Sequence, residues 1–457
     1  MKSSNFARVM IAGTGSGCGK TTVTCGILKA LVNRGLKTAA FKCGPDYIDP
    51  MFHTEITGVQ ARNIDTFLCG ENGAKYLLAK SGQAADISVM EGVMGFYDGL
   101  IDERCSSHAI STLTETPAVL VVDGGGMSLS IAALIRGFTD FMPNNIKGVI
   151  INNISPGTYP MYKQLIGQYT NIKPLGFLPE IPEAEIKSRH LGLVTAGEIE
   201  NLHRKLNLLA SNAEKYIDLD GLTELAQAAP PLTYNPLDIS GNYPCNIAVA
   251  MDAAFCFYYR DSLELLELLG AKLTYFSPLK DSELPENAGG VILGGGYPEL
   301  YAKELSGNIS MLRSIKKAAQ KGLPVYAECG GFMYLQESIR DGNGISYPMV
   351  GAIDGNSTLT GKLSRFGYCS LQAKRENLFC NKGEGINAHE FHFSDSDSNG
   401  IDFEAARPGS DVKWDCIFAT DTMFAGYPHL HLYGNINFAV RFLQKCSGFD
   451  TNSKKID

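Results

Sequence analysis

No uninterrupted apolar stretch in the 457 residues reaches the roughly 20 that a membrane-spanning helix needs, so an integral membrane protein is not expected. Excess positive charge is missing too. Lys and Arg number 40 against 48 Asp and Glu, a net charge of -8, which argues against nucleic acid or an anionic membrane surface as the main partner. A local basic pocket for an anionic substrate stays open. No CxxC pair occurs among the twelve cysteines, so a structural zinc site is not expected. Several cysteines (Cys25, Cys256, Cys416) lie inside apolar runs and not at the spacings of a disulfide framework. Strand-like sequence begins at Val9–Ala12 and leaves no room for a signal peptide. Together these features predict a reducing, cytoplasmic setting. Internal repeats and low-complexity tracts are absent as well.

What is there is the composition of a folded chain, with 44% hydrophobic and 19% charged residues. Its length predicts two or three domains. The first half alternates apolar runs (Val9–Ala12, Thr38–Lys42, Ile87–Glu91, Ala118–Asp123, Gly148–Asn152, Leu175–Leu178) with helical stretches at Thr21–Arg34 and Ser128–Phe138. Apolar runs this continuous suit strands buried on both faces of a parallel sheet. Ala196–Gln227 reads as helical. Ala229–Pro244, with four prolines, reads as a linker. A second α/β pattern follows: strand Ile247–Asp252, helix Asp261–Leu269, strands Lys272–Phe276 and Val291–Leu293, helix Ile309–Lys321 and strand Pro324–Glu328. The expected fold class is therefore α/β, with two domains, each a doubly wound, mostly parallel sheet. Their expected spans are 1–230 and 246–457, joined by a linker at 231–245. Alternating strands and turns continue to about Lys445, and the polar tail Thr451–Asp457 is expected to fray.

Directly after the first strand stand Gly13, Thr14, Gly15, Ser16, Gly17, Cys18, Gly19, Lys20, Thr21 and Thr22. Glycines let successive backbone N–H groups turn toward phosphate oxygens. Lys20 can neutralise the terminal phosphates, and Thr21 can ligate Mg²⁺ at a helix N-terminus. The leading glycine stands one residue earlier than the strict GxxxxGK[ST] spacing. The loops Lys42–Pro50 and Glu91–Gly99 follow the second and third strands, where ligands bind an open α/β sheet. Glu91 and Asp46 are the acidic metal candidates beside Thr21. Lys42, Asp46, Tyr47, Asp49 and Asp98 are the candidates for substrate binding. Turn capping is the plain alternative for Asp46, Asp49 and Asp98.

In the second half, Pro324–Glu328 runs into Cys329, Gly330 and Gly331. A cysteine at a sharp strand-to-helix turn is exposed to substrate, and a nearby helix N-terminus is expected to lower its thiol pKa. The glycine-rich Gly294–Glu299 can supply oxyanion-hole N–H groups. A thiol nucleophile needs a base. His429 and His431 alternate along Pro428–Leu432, as if on one face of a strand. His389 and His392 complete a set of four histidines in this half. A metal site built from the four is the competing reading, although their spacing matches no common zinc arrangement.

These residues resemble the cobyrinate a,c-diamide synthase family over essentially the whole chain. The segments that carry the likeness are the phosphate loop, Lys42–Pro50, Glu91–Gly99, Met251–Arg260, Gly294–Glu299 and Glu328–Leu335. The first half resembles dethiobiotin-synthetase-type P-loop proteins, and the second a class I glutamine amidotransferase domain. The resemblance implies that Cys329 releases ammonia from glutamine, with His431 as base and His429 as the alternative. It further implies that ATP and Mg²⁺ in the first domain activate the a and c acetate carboxylates of a corrin-type tetrapyrrole as acyl phosphates. The class I pattern places a carboxylate two residues after the histidine; here that place is Tyr433. Asn152, at the end of the fifth run, is expected to read the nucleobase. Hydrogenobyrinate and nickel-sirohydrochlorin remain alternatives to cobyrinate. A partitioning-type ATPase with an inactive amidotransferase domain would have no need of Cys329. The motifs leave the oligomeric state open.

Overall fold

The computed structural model describes residues 1–100, 103–185, 188–189, 192–193, 199 and 201–449. The chain divides into two compact units, Met1–Leu237 and Asp238–Asp457. The tail Thr451–Asp457 lies outside the described residues.

The first unit is built on a seven-stranded parallel sheet in the order Arg62–Ile64, Thr38–Cys43, Ile87–Glu91, Arg8–Gly13, Ala118–Asp123, Ile146–Asn152 and Lys173–Leu178. Every residue of the central strand Arg8–Gly13 is buried, as its apolar run predicts for a strand covered on both faces. Arg8 is the exception in type. Its guanidinium is satisfied by the Thr114 carbonyl at 2.9 Å, the Thr116 hydroxyl at 3.2 Å and the Pro230 carbonyl at 2.6 Å. The chain leaves Arg8–Gly13 for strands on one side and later returns to Ala118–Asp123 on the other. The crevice at this switch point, past the carboxyl ends of the strands, is where the phosphate loop stands.

The expected helix Ala196–Gln227 is two helices, Leu202–Tyr216 and Leu219–Gln227. They break where Asp218 caps the second by accepting from the Gly221 N–H at 2.8 Å. Residues 196–198 and 200 lie outside the described residues. Within the expected linker, Leu232–Tyr234 pairs antiparallel with Lys2–Ser4. The short strand Arg62–Ile64 and the helix Thr66–Gly82 carried no expectation. The strand spans three residues, and the helix is interrupted at Gly70.

The second unit carries a six-stranded sheet: Ala271–Phe276, Cys245–Ala250, Gly290–Leu293, Val325–Glu328 and Met423–Gly426 in parallel, edged by the antiparallel Phe418–Ala419. The alternation beyond residue 338 resolves into two further sheets. One is antiparallel throughout, in the order Lys413–Cys416, Phe403–Ala406, Arg365–Ala373, Gly385–His392 and His429–Leu430. The other has four short strands. The parallel sheet's core includes Phe255, Leu293, Phe332 and Leu335, all fully buried. The turn after Val325–Glu328 packs directly on this core. A Cβ added at Gly331 would stand 2.1 Å from the Leu293 carbonyl oxygen, so only glycine allows that approach.

Candidate active sites

In the first unit the helix Lys20–Asn33 starts from Gly19, which holds φ 92°. A Cβ there would stand 2.0 Å from the Asn152 amide, which itself donates to the Cys18 carbonyl at 3.1 Å. Asn152, expected at the nucleobase, is thus buried against the phosphate loop's own backbone. Lys20 is buried and donates to the Gly15 carbonyl at 2.8 Å, folding back over the loop. Burial pulls its pKa down from the ordinary lysine value. Thr22 is half-buried on the first turn.

The loops after the second and third strands meet here. The Lys42 ammonium lies 2.5 Å from Asp49 Oδ2 and 2.8 Å from Glu91 Oε1. The Thr21 hydroxyl donates to Glu91 at 2.6 Å and approaches Asp49 at 3.3 Å. His53 Nε2 stands 2.8 Å from the other Glu91 oxygen. Burial alone would lower the Lys42 pKa, but Asp49, Glu91 and Asp46 more than offset it and hold it well above the usual value. Burial likewise pushes Glu91 up, and Lys42 and His53 outweigh it and hold the carboxyl below the ordinary range. A hydroxyl and two carboxylates gathered round a buried cation are oxygen donors of the kind that could hold a hard metal ion. Asp49 is the acid beside Glu91, whereas Asp46 uses Oδ1 to accept from the Ile48 and Asp49 N–H groups at 2.9 and 3.0 Å. Tyr47 is half-buried on the same loop. Asp98 is exposed and caps its own turn, accepting from the Gly95 N–H at 2.9 Å.

In the second unit Cys329 adopts φ 45° and ψ −102° between the strand Val325–Glu328 and the helix Gly330–Leu335. A strained elbow of this kind can carry a nucleophile, although the Cys329 side chain is buried and not exposed as expected. The Gly331 N–H bonds the Gly294 carbonyl at 2.9 Å, and the Gly330 Cα lies against Gly296 and Pro298. The Cys329 turn therefore rests on the glycine loop expected to supply the oxyanion-hole N–H groups. Tyr258 ties the same loop down. Its hydroxyl donates to the Ala250 carbonyl and accepts from the Gly294 N–H at 2.9 Å.

One expectation fails here. Burial pushes the Cys329 thiol up, Glu299 and Glu328 add to that, and the Gly330 N–H offsets only part. A helix of six residues contributes too little to reverse the cost of burying a thiolate.

The two histidines do not share a strand face. The strand ends at Leu430, and His431 opens the turn Leu432–Gly434. The His429 ring lies against Gly295, where an added Cβ would meet its Cε1 at 2.5 Å, and its Nδ1 stands 3.4 Å from Glu328 Oε2. His431 is fully buried beside the Tyr259 ring, 4.9 Å between centroids, and burial holds its pKa near 3. His389 faces His429 across the strand pair. Burial first and His429 second hold it near 3. His392 stacks on Tyr427 at 3.8 Å and bonds the Ser394 carbonyl through Nδ1 at 2.6 Å. Among the described residues no group of three or more His, Cys, Asp and Glu is placed to hold a metal ion, so the four histidines do not form a metal site.

Residues 9–194 match the CobQ/CobB/MinD/ParA nucleotide-binding domain, and 246–436 the CobB/CobQ-like glutamine amidotransferase domain. The cobyrinate a,c-diamide synthase of Caldanaerobacter subterraneus is 44% identical over 445 residues, covering 96% of this chain and 98% of that one. That of Listeria innocua is 43% identical, covering 94% and 97%, and that of Thermoplasma volcanium 38%, covering 96% and 97%. The chain belongs to the cobyrinate a,c-diamide synthase family. Its nucleotide-binding half and its amidotransferase half are thus those of an ATP-dependent, glutamine-hydrolysing ligase. Among the described residues no helix is long and apolar enough to cross a membrane.

Sequence reasoning missed His53 and Glu328. Both had a legible signal. Each is an ionisable residue inside or beside an otherwise apolar buried element, where charge must be compensated.

Proposed function

We propose that this chain converts the a- and c-carboxylates of cobyrinate into carboxamides, drawing nitrogen from glutamine and energy from ATP. The observation that carries the glutaminase half is the strained Cys329 elbow seated on the Gly294–Pro298 loop. We assign the base to His429, because its ring lies on that same loop, whereas burial makes His431 a poor proton acceptor. In this reading His429 takes the thiol proton as Cys329 sulfur attacks the glutamine amide carbon. The proton passes to the departing nitrogen, ammonia leaves, and water then hydrolyses the thioester to glutamate.

In the first unit the phosphate loop and Lys20 hold ATP. A substrate carboxylate oxygen attacks the γ-phosphorus, ADP leaves, and ammonia displaces phosphate from the acyl phosphate. Thr21, Glu91 and Asp49 would hold Mg²⁺, which supplies neutralisation of phosphate charge when bound. Lys42, buried between Asp49 and Glu91, is the cation of this site that would face an anionic substrate group. Purified protein given ATP, glutamine and, separately, cobyrinate, hydrogenobyrinate or nickel-sirohydrochlorin tests the substrate by mass spectrometry. Two successive amidations of cobyrinate are expected. Turnover of another macrocycle alone overturns the choice.

A further inference from the structure

We propose that Glu328, the residue immediately before the nucleophile, is the positioning carboxylate of the glutaminase site, orienting His429 for proton transfer. The inference rests on the reading of Cys329 and His429 given above. The place two residues beyond His429 is His431, and two beyond that is Tyr433, so neither position offers an acid. Glu328 offers one from a different element. It closes the strand Val325–Glu328, is buried, and divides its two oxygens between two tasks. Oε1 accepts from the Leu430 N–H at 2.7 Å and from the Tyr326 hydroxyl. Oε2 faces His429 Nδ1 at 3.4 Å. One carboxylate therefore holds the backbone next to the imidazole and faces the ring nitrogen that must keep the proton.

The chemistry follows from that division. With Nδ1–H directed at Glu328, Nε2 carries the lone pair that accepts the thiol proton, and the imidazolium so formed faces a carboxylate. Such help is needed here because burial disfavours a thiolate at Cys329 unless a cation forms with it. A separation of 3.4 Å without glutamine is long for a charged hydrogen bond. Catalytic contacts often tighten only in the Michaelis complex. Among the described residues, the other ionisable groups around this carboxylate, thiol and imidazole include Tyr258, Tyr326, Tyr427, Glu299, Glu390 and His389. Tyr326 is already committed to Glu328, Tyr258 to the glycine loop, and burial keeps His389 neutral.

The test is Glu328→Gln, whose amide carbonyl can still accept from Leu430 while the charge is gone. Glutamate release should fall by roughly 10²- to 10⁴-fold in kcat with KM for glutamine little changed. The pH midpoint for iodoacetamide alkylation of Cys329 should move upward, and Glu328→Asp should recover part of the rate. A purely structural role predicts near-wild-type Glu328→Gln kinetics and an unshifted alkylation profile, and either result overturns the proposal. So does an equal loss of synthesis driven by ammonium salts, which would mark damage to the fold. Cys329→Ser, assayed alongside, separates the two readings. If it keeps glutamine-dependent activity the glutaminase assignment itself falls; if it loses activity while Glu328→Gln does not, only the role of Glu328 falls.

Discussion

Lys42→Met puts the electrostatics of the first site to a quantitative test. The substitution keeps the length and apolar stem of the side chain but removes the one ammonium between Asp49 and Glu91, both of which are buried. Breaking a buried pair by deleting one partner costs about 3–5 kcal/mol, because the remaining charge is uncompensated. For a unit of this size that corresponds to a melting shift of roughly 6–20 °C. His53 stays beside Glu91, so the larger penalty falls on Asp49. The pH dependence has a definite shape. Lys42, with its folded pKa raised, contributes stability that is full below the ordinary lysine range and is lost as pH rises through the folded value. Glu91, with its folded pKa lowered, contributes stability that is present above the ordinary carboxylate range and is lost as pH falls through the folded value. Burial and Asp46 push the Asp49 carboxyl well above the ordinary range while Lys42 pulls it down, so Asp49 takes up a proton more readily in the variant and the difference from wild type should narrow as pH falls. Scanning calorimetry with and without Mg²⁺ is the assay. Mg²⁺ should stabilise the variant more than the wild type, since the ion no longer displaces an ammonium from its oxygens. Equal melting temperatures, or an equal response to Mg²⁺, would refute this account of the cluster.

Other outcomes follow from the same geometry. Gly19→Ala should abolish ATP binding measured by calorimetric titration, because φ 92° and an approach of 2.0 Å to Asn152 leave no room for a side chain. Lys20→Ala should lower amide synthesis by several orders of magnitude while glutamine hydrolysis remains measurable, since in the reading proposed above its charge neutralises the transferring phosphoryl group. Cys329→Ser should lose glutamine-dependent activity and keep synthesis from ammonium chloride at alkaline pH, as a serine hydroxyl ionises far less readily than a thiol. His429→Ala should abolish glutaminase activity, whereas His431→Phe, which preserves ring packing on Tyr259, should retain most of it. The reverse pattern would return the base to His431.

The amino-acid sequence by itself marked most strands of both parallel sheets, though not Arg62–Ile64 or Met423–Gly426, and the two turns where chemistry is expected. A strand buried on both faces is largely apolar, so Ile87–Glu91 and Ala118–Asp123 were legible to the residue, and the glycines within 13–19 and at 330–331 mark where backbone turns sharply. The short edge strand Arg62–Ile64 was not legible, because three residues carry too little pattern. Period-two alternation put His429 and His431 on one strand face. The chain instead leaves the strand after Leu430, and a strand end is set by hydrogen-bond partners that lie far away in sequence. Which acid serves each site was likewise decided only in three dimensions. Asp46 turns inward on its own loop while Asp49 reaches Lys42. Glu328 meets Leu430, 102 positions further along the chain, only because the strand Val325–Glu328 and the strand His429–Leu430 converge. Residue type announces that a charge must be compensated; the partner that compensates it is chosen by packing.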